Sequence, residues 1–391
     1  MKVVHLCLGS FYPDNYAYQE NLLPKFHKEI GCEVEVIAST QGFDKFGKVC
    51  FLQNTGTYQN EYDIKVTRLP YKSENRIWKK LKRYKGTYTA LESAVPDILF
   101  VHGGQFLDVD QVVKYLKKHP EVTVYVDNHA DFYNSATNWV SRNILHKIIW
   151  RRAEQRIEPY TRKFYGVLPV RVDFLKEVYR LPPEKCELLV MGADDGLVEK
   201  ARKDGSRKRV RDMYGICDDD FLVVTGGKID ARKIQTVYLM QAVHAIQREN
   251  VRLVVFGSVT QELEVCIREL TDGVKVQYAG WLDSKESYAY FEAADLVVFP
   301  GHHSVMWEQA AGQGKPLLVK EWEGAQHVDV GGNVRFLKEA GADEIRREIE
   351  RLADNPAEYA KMKAVAENIG MKTFSYKEIA RRAIEADKLT L

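Results

Sequence analysis

Two short stretches hold residues whose types and spacing could do chemistry. In PGHHSVMWEQAAGQGKPLLV, residues 300–319, the adjacent His302 and His303 and then Ser304 precede an acidic side chain, Glu308. An ionised glutamate offers only acceptors, so Glu308 could take two hydrogen bonds from a sugar diol. A glutamate on a solvated helix face is the plainer alternative and, on position alone, the one to expect. In GGKIDARK, residues 226–233, Gly226 and Gly227 allow a tight turn and close backbone approach. Lys228 and Lys233, at the two ends of that loop, could both face a diphosphate through charge-assisted bonds, which are about twice as strong as neutral ones. A solvated basic loop would read the same way.

The elements that must position these residues follow from the flanking sequence. LVVFP (Leu296 to Pro300) is a short β-branched run that stops at Pro-Gly, as a buried strand does. Ser304 is placed to N-cap the helix that follows, Gly314 suits the left-handed turn after it, and Pro316 cannot extend it. The small run Ala310, Ala311, Gly312 would let that helix lie close to its sheet. A helix starting at the C-terminal edge of a strand offers free N–H groups to an anion, at the edge where open α/β sheets bind ligands. FLVVTGG (Phe221 to Gly227) is likewise a strand ending in a glycine pair ahead of GGKIDARK.

The rest of the chain repeats this pattern. KVVHLCLG, EVEVIAS, DILFVHGG and TVYVDNHA read as strands in the first half, with helices ENLLPKFHKEIG and DVDQVVKYLKKH between them. Pro24 should fall in an early turn or a kink of the first helix, and Gly31 should stop it. Residues 41–70 are polar and Gly-rich, and read as a loop insertion with short strands. VRLVVFGS, VKVQYAG and PLLVK continue the second half. Repeated strand–helix units predict mostly parallel sheets. The charged helical run from Glu199 onward marks a boundary. It divides 1–195, an N-terminal Rossmann-like acceptor domain, from 196–370, a C-terminal Rossmann-like donor domain. Residues 371–391 are expected to form a C-terminal helix that packs back on the first domain.

Composition excludes several classes. The chain has 391 residues and a formal net charge of +2, so no polyanion signature points to nucleic acid. Six scattered cysteines argue against zinc clusters and disulfides and fit a reducing cytoplasm. The N-terminal apolar run is too short for a signal peptide, and no run approaches the ~20 apolar residues of a membrane span. Two basic aromatic segments, 76–85 and 142–163, could lie on an anionic membrane, each basic side chain adding about 1 kcal/mol. Packing of the second segment's apolar stripe on the core is the competing reading, and the favoured one in part. There is no Walker pattern, and no GxGxxG follows the first strand, which disfavours a P-loop NTPase and an ordinary NAD enzyme.

In order and spacing, these motifs resemble a retaining glycosyltransferase of family 4 over nearly the whole chain. GGKIDARK is similar to the family's Gly-Arg…Lys-Gly segment, with Lys228 in place of the arginine and Lys233 on the lysine. WEQAAGQGKPLLV resembles the family's segment that holds the nucleotide ribose, placing Glu308 on its glutamate. DNHADF places His129 on the family's histidine beside the donor sugar. GADDGLV, with Gly192 and Asp194, resembles the segment at the domain crossing, and the stretch from Gly9 and Ser10 through Asn15 resembles the first phosphate loop. Two departures stand out. Pro300 sits where the family carries the first glutamate of a pair, and Asn15 and Tyr16 replace the usual glycine pair.

The resemblance implies a GT-B fold, two doubly wound Rossmann-like domains with a cleft between them. It implies a retaining transferase moving a sugar from a nucleotide diphosphate sugar, UDP ahead of GDP, to a saccharide or lipid-linked saccharide, in surface polysaccharide or glycoconjugate synthesis. Lys228, Lys233 and His129 would be catalytic. Glu308, Gly226, Gly227, His302, His303, Ser304, Gly9, Ser10 and Asn15 would bind the donor. No cofactor is expected. Nor is a metal, because no carboxylate or cysteine stands near the two histidines in sequence. The expected setting is cytoplasmic or peripheral on the inner membrane face. The alternatives are a non-catalytic nucleotide-sugar-binding subunit of the same descent, and a different GT-B enzyme such as an epimerase or an inverting transferase.

Overall fold

The computed structural model describes residues 1–43, 48–53 and 55–385, without the side chain of Arg232. The chain forms two compact units, Met1–Val190 with Ile379–Leu391, and Met191–Glu378. The last six residues of the expected C-terminal helix, and residues 44–47 and 54 of the expected insertion, lie outside the described residues.

The first unit holds strands β1 (Lys2–Cys7), β2 (Glu33–Ser39), β3 (Gln41–Phe43), β4 (Val49–Phe51), β5 (Gly56–Gln59), β6 (Lys65–Leu69), β7 (Ile98–His102), β8 (Thr123–Asn128), β9 (Thr161–Gly166) and β10 (Cys186–Leu188). Its eight-stranded sheet has the order β10-β9-β8-β7-β1-β2-β6-β5. Pairing is parallel except at β5–β6. The strands carry near-continuous Val, Ile, Leu and Phe because both sheet faces are covered. The 41–70 segment is more ordered than its polar composition suggests. β3 and β4 pair antiparallel, while β6 joins the main sheet beside β2. Gly31 ends the helix Gln19–Glu29 at φ +96°, and Pro24 lies inside that helix.

Strands β11 (Phe221–Gly226), β12 (Val251–Phe256), β13 (Val276–Gly280), β14 (Leu296–Phe299), β15 (Leu317–Lys320) and β16 (Val334–Leu337) form the second unit's parallel sheet, in the order β13-β12-β11-β14-β15-β16. This is the 3-2-1-4-5-6 order of a doubly wound fold, with its topological switch point between β11 and β14. The loops that leave those two strands carry both chemical stretches. In the first unit the switch point falls between β1 and β7, where Gly9 and Gly103 leave the sheet. A Cβ on Gly9 would lie 1.8 Å from the Gly103 carbonyl oxygen, so only glycine fits that approach.

The basic segments divide. Residues Arg76–Lys80 form a short helix on which Ile77 is 65% exposed and Trp78 42% exposed. In the second segment, Ser141–Trp150 forms a wide i→i+5 helix that continues as the α-helix Arg151–Ile157, and β9 begins at Thr161. Leu145 and Ile149 pack on the core and Trp150, Ala153 and Ile157 are buried, whereas Ile144 and Ile148 stay exposed. Among the described residues no helix is long and apolar enough to cross a membrane.

Candidate functional site

At the switch point of the second unit, Gly226 closes β11 against a phenyl ring. A Cβ there would stand 2.1 Å from the Phe256 ring. Gly227 follows at φ +118°, a region open to glycine, and its N–H donates to the Phe256 carbonyl at 3.1 Å. The turn throws Lys228 outward, where its mostly exposed ammonium pairs with Asp230 at 3.2 Å. Lys233 ends the short 3-10 turn Ala231–Lys233 and runs back over the loop. A Cβ on Gly227 would lie 3.9 Å from its Nζ, and one on Gly301 would lie 3.6 Å from its Cγ. Burial lowers the Lys233 pKa, Asp230 works against that fall, and Lys228 adds to it. The two lysines therefore differ, one solvated and paired, the other half-buried against the glycine turn. Met306, two residues before Glu308, also reaches this turn, its Sδ 3.8 Å from where a Gly227 Cβ would stand.

Glu308 corrects the plainer sequence reading, since its side chain is fully buried rather than solvated. The helix that carries it runs Met306–Gly312 and starts after Val305 with no side-chain cap. Ser304 is thus not the side-chain cap expected of it; its carbonyl accepts from the Trp307 N–H at 3.0 Å. Gly312 packs on neighbours other than the sheet, a Cβ there meeting Ala193 at 2.7 Å and the Phe374 carbonyl at 2.8 Å. Glu308 Oε1 accepts from His303 Nε2 and His327 Nε2, each at 2.8 Å, while its buried Oε2 has no hydrogen-bond partner. Burial alone would raise the Glu308 pKa, but the two imidazoles outweigh it and hold the group well below the usual carboxylate range. His302 points elsewhere, its exposed ring lying 4.3 Å from that of Trp322. The premise that no carboxylate stands near the histidines fails, because Glu308 itself reaches His303.

His327 was not foreseen. It sits on the short turn Gln326–Val328 after β15, and only its place at the same sheet edge could have pointed to it. Gly314 does take its left-handed turn, at φ +72°. Asp194 caps the helix Asp195–Lys203, accepting from the N–H groups of Gly196 and Leu197.

In the first unit, His129 follows β8 with its Nε2 3.5 Å from Asp127 Oδ2. Burial opposes the charged imidazole, but Asp127 and Glu20 favour it more, and its pKa is raised. The Gly9 carbonyl accepts from Lys82 Nζ, and Ser10 follows it with a buried hydroxyl. Asn15 is placed on an exposed turn at φ +63°, its N–H donating to Glu61 at 2.9 Å. Glu154, also unforeseen, is buried face-on to Gly104, and burial pushes its pKa up to about 8.

Behind His129 runs a buried line of hydrogen bonds. His102 Nδ1 meets Asp127 Oδ2 at 2.8 Å, His102 Nε2 meets His5 Nδ1 at 2.9 Å, His5 Nε2 meets His27 Nδ1 at 2.9 Å, and His27 Nε2 meets the Ala380 carbonyl at 2.9 Å. These are four hydrogen bonds along three imidazoles, with an acceptor-only carbonyl at one end. Each bond needs one proton, and three neutral imidazoles supply three. The carbonyl forces every ring to donate toward Ala380, so the fourth proton lies between His102 and Asp127. Burial lowers His5 and takes His27 down to about 4, which keeps those two rings neutral, and Asp127 is held low by His102 and His129 against its own burial. The line therefore ends at the Asp127 carboxylate, beside His129.

Residues 220–355 match the family model described as glycosyl transferases group 1. No curated protein matches the chain significantly. Among solved structures, Anabaena Alr3699/HepE in complex with UDP and glucose is similar at TM-score 0.65 and 14% identity, covering 99% of both chains. WaaG, a glycosyltransferase involved in lipopolysaccharide biosynthesis, is similar at 0.64 and 14%, covering 97% of this chain and 99% of that one. The UDP-GlcNAc 2-epimerase of Neisseria meningitidis bound to UDP-GlcNAc is similar at 0.64 and 15%, covering 98% and 99%. At these identities the likeness establishes the fold, two Rossmann-like α/β units of the GT-B type.

Proposed function

We propose, from the premise of a group 1 glycosyl transferase match on a GT-B fold, that this protein is a retaining glycosyltransferase. Its donor would be a nucleotide diphosphate sugar, UDP ahead of GDP, and its acceptor a saccharide or lipid-linked saccharide. The observation that carries this reading is the convergence of Gly226, Gly227, Lys233 and the Glu308 loop at one switch point. Half-buried Lys233, backed by solvated Lys228, suits a departing diphosphate, because a cation already fixed in place costs no reorganisation as charge develops. Glu308, kept ionised by two imidazoles and left with one free oxygen, suits the ribose hydroxyls. The raised pKa of His129 suits a hydrogen-bond donor to the sugar. Lipid-linked acceptors fit the exposed Trp139, Val140, Ile144 and Ile148, which alternate with Arg142 and Lys147. Such a surface would place the protein peripherally on the inner membrane face, in polysaccharide or glycoconjugate synthesis.

One observation favours a second reading, a nucleotide-sugar-binding subunit without turnover. Pro300 stands where the resembled family has its first glutamate. The epimerases among the similar structures favour a third, isomerisation of the donor.

The test begins with thermal shifts of wild type and Glu308→Ala in UDP, GDP, CMP and buffer. A ligand at a hundred times its dissociation constant stabilises the native state by about 2.7 kcal/mol. UDP or GDP should stabilise wild type and not the variant; if no nucleotide shifts wild type, the donor reading fails. Turnover with the identified donor, and the anomeric configuration of the product, then separates transfer from binding alone and from isomerisation.

A further inference from the structure

We infer that His303, Glu308 and His327 form a binding site for a divalent cation of the zinc type. One ring nitrogen of each histidine and a carboxylate oxygen of Glu308 lie within 4.8 Å of one another. They come from three separate segments, the loop after β14, the helix Met306–Gly312 and the turn after β15. Two imidazole nitrogens and one carboxylate are the ligand set of an open zinc site, with a fourth position left for water or substrate.

The nitrogen–oxygen distances fit with a small adjustment. Each Nε2–Oε1 separation is 2.8 Å. Zinc–ligand bonds of about 2.0–2.2 Å in tetrahedral geometry put ligand atoms roughly 3.3 Å apart, so each ring need retreat by only about half an ångström. The rings are well placed to hold that geometry. His303 packs edge-on against Trp307 at 5.0 Å, and His327 lies 6.4 Å from Phe374.

The second observation is the buried Oε2 of Glu308, an acceptor with no donor. Hydrogen bonding to the two histidines leaves it unsatisfied, whereas a cation held on Oε1 by the two histidines carries in its fourth position a water that can donate to Oε2 and that the ribose can displace. Nδ1 of His327 is also buried without a partner, with or without an ion, so it does not discriminate. Burial favours a retained ion, since the side chains of Glu308, His327 and His303 are 0%, 4% and 14% exposed. The inference rests on this geometry and goes beyond the transfer reading, adding a fixed positive charge beside the Glu308 subsite.

The experiment uses the full chain, stripped with a chelator and titrated with Zn²⁺ by calorimetry and with Co²⁺ by visible absorption. One ion per chain is expected, with the intense visible bands of four-coordinate cobalt. His303→Gln and His327→Gln each keep an N–H that can donate to Glu308 while removing a ligand. Both should stay folded by circular dichroism and bind either ion at least tenfold more weakly. The inference is overturned by no stoichiometric binding to wild type, or by a loss below tenfold in either variant. UDP binding to the metal-free protein is measured alongside. If UDP binds and the metals do not, only this inference fails; if the metals bind and no nucleotide does, only the donor reading fails.

Discussion

His27→Leu tests the proton inventory of the first unit. At neutral pH the substitution removes two hydrogen bonds, leaving the Ala380 carbonyl and the His5 Nε2–H without partners. Buried orphans cost about 1–3 kcal/mol each, so unit 1 should lose about 2–6 kcal/mol, less what leucine regains by burial. The acid side supplies the sharper test. The pKa of His27 is about 4 in the fold, where burial disfavours the cation, and about 6.5 when unfolded. Between those values the unfolded chain binds the extra proton and the folded chain does not, so wild-type stability falls as pH falls. The gap is worth roughly 3 kcal/mol, fully present above about pH 6.5 and lost by about pH 4. The variant lacks this group. Urea melts at several pH values, followed through fluorescence in a variant whose other five tryptophans are replaced by phenylalanine so that buried Trp150 reports alone, should give stability curves that converge as the pH drops. Parallel curves from pH 7 to about pH 4.5 would refute the assignment of a neutral, carbonyl-donating His27.

Three further outcomes follow from other parts of the molecule. Lys233→Ala should lower transfer about 100-fold or more with the fold intact, checked by single-turnover assay and circular dichroism, whereas Lys228→Ala, at the exposed end of the loop, should cost less. Gly257→Ala forces a Cβ to 1.8 Å from the Gly227 carbonyl at φ +126°, so a thermal melt should show unit 2 weakened by about 3 kcal/mol or more. Asp194→Ala removes the cap of the helix Asp195–Lys203 and should cost about 1 kcal/mol by urea titration, with Asp194→Asn nearly neutral.

Much of this protein is legible in its sequence because its sheets are parallel and covered on both faces. Strands such as LVVF and FLVVTG must then be unbroken apolar runs, and the glycines that end them mark the ligand edge. GGKIDARK and the Glu308 loop could be picked out because each follows such a strand directly. β6 reads only as one of the short strands of an insertion, because KVTRL alternates like a half-exposed edge and sits in a polar stretch. The parallel partner that gives it a place, β2, lies outside that local pattern.

Tertiary structure alone decided which polar side chains meet. Glu308 reads as a solvated helix residue until β15 brings His327, 19 residues on, to the same oxygen. The histidine line depends on strand order in the same way. His102 stands in register with Asp127 across β7–β8, while His5 pairs with Phe100 across β1–β7, which sets it diagonally to His102 on the same face. A side chain's hydrogen-bond partner is fixed by strand order and register. Those are chosen by the packing of the whole sheet, so a line of four hydrogen bonds through three strands and two helices has no trace in any local stretch of sequence.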